Sequence, residues 1–237
     1  MNKIMQIEEA VAKASDGMTI MFGGFLGVGT PLKCIEILAE RNLKDLTVVS
    51  LVSAFPGGRF HLAELFSRAC VRKYITSHAG TSPEAIKAYK QGELEIEYYP
   101  MGTLVEKIRA AGAGLGAVIT PIGLGTLAEE GKEKINISGK EYLVELPLKA
   151  DMAFIKGFRG DTFGNIQYRG VSINSNPVFA TAADITVAEV NEIVKAGEID
   201  PERVGTPGIL VDAVVQGYNL EVQHDIFRKV WTEHGML

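Results

Sequence analysis

The sequence predicts an α/β protein with an open, mostly parallel sheet, helices on both faces and a β-hairpin excursion. Three observations predict it. Through the first half, stretches with helical spacing alternate with short apolar runs of strand length, the pattern of successive βα units. "DGMTIMFGGFLGVGTP", Asp16 to Pro31, sets four glycines between an apolar run and a helical pattern, which reads as a strand-to-helix turn. Past Gly112 the helical patterns give way to strands and turns. With 237 residues the chain can bury a substantial core.

Taken in order, 6–15 has helical spacing and Met18 to Phe22 is the first strand. "PLKCIEILAERN" is helix, "DLTVVSLV" strand, "HLAELFSRA" helix and "VRKYITSH" strand. "SPEAIKAYKQG" follows as helix, the alternating "ELEIEYYP" as strand and "GTLVEKIRAAG" as helix. A second glycine-rich stretch, Gly112 to Thr126, precedes "INISGKEYLVEL", a hairpin turning at Ser138-Gly139. Residues 150–170 read as two strands around a turn at Asp161 to Asn165. A helix from about Pro177 to Ala183, the strand "ITVAEV" and the closing "TPGILVDAVV" complete the pattern. No internal repeat or low-complexity linker divides the chain. One domain is expected over 1–217, followed by a helical tail over 218–237. The tail carries Val222, Ile226, Phe227, Val230 and Trp231 as its apolar face, docked on this chain or on a partner.

The turn Gly23 to Gly29 carries the first chemical hypothesis. A glycine-rich turn feeding a helix bares N–H groups at the positive end of the helix dipole, which suits phosphate, carboxylate or a developing oxyanion. Thr30 is placed to cap that helix and Pro31 to occupy its first turn. Two phosphate loops are tested and fail. A Walker loop needs Lys and Ser/Thr after its last glycine, where Thr30-Pro31 stands. The dinucleotide fingerprint needs a glycine where Leu32 stands and an acidic end to the next strand, which Thr47 to Val52 lacks. A tight turn with no ligand is the alternative.

The net charge of −5, without long basic runs, argues against nucleic acid and gives no reason to expect an anionic membrane surface. Neither a signal peptide nor an apolar run of about 20 residues is read, so a cytoplasmic protein is expected. Cys34 and Cys70 are isolated, and Cys34 falls on the apolar face of its helix, where core packing is its expected role. His61, His78, His224 and His234 show no zinc spacing, and no metal is expected.

The run Asp16-Gly17, Ile20-Met21-Phe22, Gly23-Gly24-Phe25, then Gly29-Thr30-Pro31 resembles the signature of the α subunit of family I CoA-transferases. "GELEIEYYPMGTLVEKIRAAGAGLGAVITPIGLGT", "KEYLVELPLKADMAFIKG", "DTFGNIQYRG" and "AADITVAEVNEIV" resemble the same subunit in the same order, from about Met5 to Val215. The resemblance implies transfer of coenzyme A between a short-chain acyl-CoA (acetyl, butyryl or 3-oxoacyl) and a free carboxylate. A glutamate attacks the thioester to give an acyl-glutamyl anhydride and then a glutamyl-CoA thioester. Gly23, Gly24, Phe25, Gly27, Gly29 and Pro31 would form the CoA/acyl-binding or oxyanion loop.

The resemblance also implies that the nucleophile lies elsewhere. Family members carry the glutamate in the β half, within a Ser-Glu-Asn-Gly-like run that this chain lacks. Glu129 and Glu130, the nearest candidates, read as a solvated helix start. No catalytic residue is therefore expected in this chain, and a β subunit of similar size is expected as partner, in a heterodimer or heterotetramer. No permanently bound cofactor is expected; coenzyme A enters as substrate. Many members carry two asparagines where Leu51 and Val52 stand, and a glutamine at Met101, before Gly102 and Thr103. Leu, Val and Met cannot hydrogen-bond an acyl oxygen, so either the acyl pocket there is less polar or another side chain or water replaces the amides.

Two other functions fit a fold of this class. A sugar-phosphate isomerase-like enzyme would need a general base beside Gly23 to Gly29, and none is evident. A ligand-sensing domain would be expected to carry a DNA-binding helical domain, for which the residues before Met18 leave no room.

Overall fold

A computed structural model describes residues 2–53 and 61–235. The chain begins with α1 (Ile7–Val11), β1 (Thr19–Phe22), α2 (Leu32–Glu40), β2 (Leu46–Val49) and α3 (Ala63–Ser67). It continues with β3 (Val71–Thr76), α4 (Pro83–Lys90), β4 (Glu95–Tyr98) and α5 (Met101–Gly112). An excursion contains β5 (Val118–Thr120), β6 (Lys134–Ile137) and β7 (Lys140–Glu145). Then come β8 (Ala150–Asp161), β9 (Ile166–Gln167), α6 (Asn176–Ala180), β10 (Ala183–Val194), β11 (Ala213–Gln216) and α7 (Leu220–Glu233).

The main sheet runs β11-β10-β8-β1-β2-β3-β4 with every neighbour parallel, and β9 folds back antiparallel on β8. Period-two alternation divides the strand side chains between two cores. Ile20, Phe22, Met152 and Phe154 pack with α1 to α4 on one face. Met21, Ala153, Ile155 and Val190 pack with α5 and α6 on the other. From β1 the chain winds outward to β4, then returns to β8 and winds the opposite way to β11. The order therefore reverses between β1 and β8, and in open α/β sheets the crevice at the carboxyl ends of such a pair is where ligands bind.

The excursion is a separate antiparallel sheet, β5-β7-β6. Its predicted turn is present: Ser138 and Gly139 have φ of 53° and 81°, the two positive values of a type I′ hairpin turn. The Asp161 to Asn165 turn is also present, because the Asp161 carboxylate accepts the N–H groups of Phe163 and Asn165, each at 2.9 Å. Two expectations need correction. The sixth helix spans Asn176–Ala180 rather than 177–183: the N–H groups of Thr181 and Ala182 bond three residues back, and β10 starts at Ala183. Thr30 does not cap α2; Pro31 takes the cap position, and the buried Thr30 hydroxyl lies where a Cβ on Gly24 would fall.

Candidate active site

The glycine turn is a miniature hairpin at the carboxyl end of β1. Phe25 and Val28 exchange backbone hydrogen bonds at 3.0 and 2.9 Å. Between them Leu26 and Gly27 have φ of 50° and 89°, and Gly27 accommodates its angle at no steric cost. The Gly23 N–H continues the sheet to Phe154 O at 2.9 Å. Among the described residues, the N–H groups of Gly24, Leu26, Gly27 and Gly29 make no hydrogen bond.

Close packing supplies the rest of the demand for glycine. Asn176, fully buried, accepts the Lys156 N–H at 2.9 Å and donates to Gly29 O and Ser172 O, each at 3.0 Å. A Cβ on Gly23 would overlap its carboxamide, and one on Gly29 would overlap Ser172 O. Asn174 donates to Val28 O at 2.9 Å, so the segment after β9 grips the hairpin twice.

Under the hairpin lies a buried ion pair. Lys156 on β8 and Glu189 on β10 are 3% and 1% exposed, with Nζ 3.2 Å from Oε1. The other Glu189 oxygen accepts the Cys34 N–H, in the first turn of α2, at 2.9 Å. The protein's own carboxylate thus occupies the positive end of α2, the place expected for a ligand anion. Cys34 itself is buried, and burial foremost, then Glu189, pushes its thiol up, which leaves it in the packing role expected.

A cavity of about 620 Å³ opens beside the hairpin. Its walls are Val28 and Gly29, Lys156 to Phe158 on β8, Arg169 to Ser172 after β9, Asn191, and the inner side of α7. The tail is docked on its own chain: Asn191 Nδ2 donates to Tyr218 O and Gln223 Oε1, each at 2.7 Å, and Asn219 caps α7 at Val222 N–H. A Cβ on Gly27 would lie 2.8 Å from the Phe227 ring. Of the expected apolar face, Ile226, Phe227, Val230 and Trp231 are partly buried, while Val222 is turned outward.

The expected acyl-pocket residues do not line this cavity. Leu51 and Val52 are buried just past β2, Leu51 packing in the same core as Leu104 on α5. Met101 and Gly102 are exposed at the start of α5, and Thr103 is buried there with its hydroxyl lacking a hydrogen-bond partner. Glu129 lies on the excursion, where the Gly125 N–H and then Lys134 hold its carboxyl below the usual range. Neither it nor Glu130 reaches the cavity. Among the described residues no three His, Cys, Asp or Glu side chains converge to hold a metal ion, and no helix is long and apolar enough to cross a membrane.

Lys156, Asn176 and Glu189 were not singled out from sequence. A usable signal existed for two of them: Lys156 in "AFIKG" and Glu189 in "TVAEV" interrupt apolar strand runs, where a charge must be paired once buried. Asn176 carried no such mark.

The glycine hairpin lies where the strand order reverses, the place at which open α/β sheets bind ligands, and comparison gives the chain its class. The coenzyme A transferase family model matches residues 4–217, and the chain belongs to that family. Along its length it is 44% identical over 213 residues to the acetate CoA-transferase subunit alpha of Escherichia coli K12, covering 90% of this chain and 96% of that one. The alpha subunit of the acetoacetyl-CoA:acetate/butyrate CoA transferase of Clostridium acetobutylicum is 45% identical over 215 residues, covering 91% and 98%. In fold it matches an acyl-CoA transferase of E. coli O157:H7 with a TM-score of 0.85 at 24% identity, covering 91% of this chain and 47% of that longer one. Glutaconate coenzyme A-transferase from Acidaminococcus fermentans matches with a TM-score of 0.78 at 21% identity, covering 97% and 88%. These relationships support neither the isomerase nor the sensor reading.

Proposed function

We propose that this chain is the α half of a two-chain CoA-transferase that moves coenzyme A between a short-chain acyl-CoA and a free carboxylic acid, on a glutamate supplied by a β subunit. The observation that carries the reading is the hairpin with its unbonded N–H groups, at the carboxyl ends of β1 and β8 and beside the cavity. When a partner carboxylate attacks a thioester carbonyl, negative charge develops on the carbonyl oxygen. Fixed N–H donors stabilise that charge without reorganising. The thiolate leaves, an acyl-glutamyl anhydride forms, and the thiolate then attacks the glutamyl carbonyl to release the acid and leave a glutamyl-CoA thioester. A second acid reverses the sequence and leaves as the new acyl-CoA.

The chain's part in this scheme is binding and charge stabilisation. Glu189 and Lys156 neutralise each other beneath the loop, so their charges do not compete with the oxyanion for its donors. The similarity to relatives named alpha subunits supports a β partner, as do Ile119, Ile122, Leu127 and Leu146, large apolar side chains exposed on or beside the excursion. Gentle capture of this chain from its source, with mass spectrometry and an acyl-CoA/acetate exchange assay on the eluate, tests the reading. A second chain of similar size with exchange activity is expected. Robust exchange by the purified chain alone would overturn it.

A further inference from the structure

The family match ends at residue 217, three residues before α7 begins. The helix nevertheless forms a wall of the cavity beside the glycine hairpin. Its contributions, Leu220, Gln223, His224, Phe227, Arg228 and Trp231, recur at i, i+3, i+4, i+7, i+8 and i+11, a single helical face. A tail serving only to dock would close that gap, because interiors pack to the density of organic crystals. Here no residue of α7 is fully buried, and about 620 Å³ stays open beneath it. Pockets of about 300–1,000 Å³ suit ligands well beyond two carbons in size.

The lining indicates what such a ligand carries. Phe158, Phe227 and Trp231 give it aromatic walls. Most polar groups there are already committed: Lys156 to Glu189, Arg228 to Asp225, and the Asn191 amide to Tyr218 O and Gln223. Arg169 lies over the Phe158 ring at 5.6 Å and has no carboxylate partner among the described residues. An apolar body with an anionic end matches that inventory.

We propose that α7 is a specificity wall for the acid substrate, and that Phe227 and Trp231 select carboxylic acids with an apolar chain longer than acetate's. The carbon chain lies against the two rings, and Arg169 meets the incoming carboxylate at the rim. This rests on the reading of the hairpin as the acyl site, so the test separates the two.

In the full chain with its β subunit, Phe227→Ala and Trp231→Ala are compared with wild type on hexanoate and acetate. The expected result is that kcat/KM falls about ten-fold or more for hexanoate and less than about two-fold for acetate, the scale set by apolar contacts in a specificity pocket. Trp231 is the chain's one tryptophan, so binding can be read without catalysis. Hexanoate is expected to shift the emission of the wild-type chain saturably, while acetate leaves it unchanged. Equal losses on both acids, or loss of β association in the variants, would overturn the proposal. If no acid is turned over by the wild-type pair, the CoA-transfer reading fails, and the fluorescence titration alone decides for or against the pocket.

Discussion

Replacing Glu189 with Gln tests how the loop is held. The substitution keeps an oxygen able to accept the Cys34 N–H, now 2.9 Å from the carboxylate, but leaves the Lys156 ammonium without its counter-charge at 3% exposure. Removing one partner of a buried pair costs about 3–5 kcal/mol, because the remaining charge keeps its desolvation penalty. Lys156→Met should cost somewhat less, about 2–4 kcal/mol, since the orphaned carboxylate still sits at the positive end of α2. Replacing both removes both charges, and the double variant should lie within about 2 kcal/mol of wild type. The cycle therefore predicts a coupling of about 3 kcal/mol or more between the two sites. Urea unfolding followed by far-UV circular dichroism reads it, with the slope checked to be constant across the four proteins. A loss under about 1 kcal/mol for Glu189→Gln, or single losses that simply add, would refute the assignment of a mutually dependent buried pair.

Other substitutions probe neighbouring features. Gly23→Ala should destabilise by about 2–4 kcal/mol, because its Cβ displaces the Asn176 carboxamide and strands buried polar groups. Gly102→Ala, which meets nothing within 4 Å on α5, should be neutral or slightly stabilising in the same urea unfolding. Burial lowers the His61 pKa to about 3, so between the unfolded value near 6.5 and that point the unfolded chain binds the extra proton. Stability is then fully present above about pH 6.5 and declines as pH falls toward 3. His61→Asn, which suits the φ of 66° there, should flatten that decline in pH-dependent melts; an unchanged slope would place the acid sensitivity elsewhere. Met101→Gln, at the exposed start of α5 and apart from the cavity, should leave the ratio of acetoacetate to butyrate exchange unchanged, and a raised ratio would restore Met101 as an acyl contact.

The repeating βα pattern made the parallel sheet legible, because strand and helix periods are set locally by which faces are buried. The hairpin at Ser138-Gly139 and the Asp161 turn were legible for the same reason: positive φ and an Asx side chain are written into residue type. The glycine loop was found, but only half of its cause was visible. Its turn geometry follows from Gly27, whereas the pressure from Asn176, Ser172 and Phe227 comes from residues about 145 to 200 positions away. The charge balance was hidden likewise. Nothing near Cys34 announces that Glu189, 155 residues later, serves the first turn of its helix. The relation of α7 to the loop could not be read from spacing, which gave an apolar face but not the surface beneath it. The residues expected as an acyl pocket lie past β2 and at the start of α5, apart from the cavity, because their place in the sheet order sets them on the far side of β1 from β8.

In the proposed assembly this chain supplies the loop and a partner supplies the nucleophile. Intact-mass and peptide mass spectrometry of the purified two-chain assembly, after incubation with acyl-CoA and rapid quenching, tests it most directly. A CoA thioester adduct is expected on a glutamate of the β subunit and none on this chain. An adduct on this chain, at Glu129 or Glu130 or elsewhere, would contradict it.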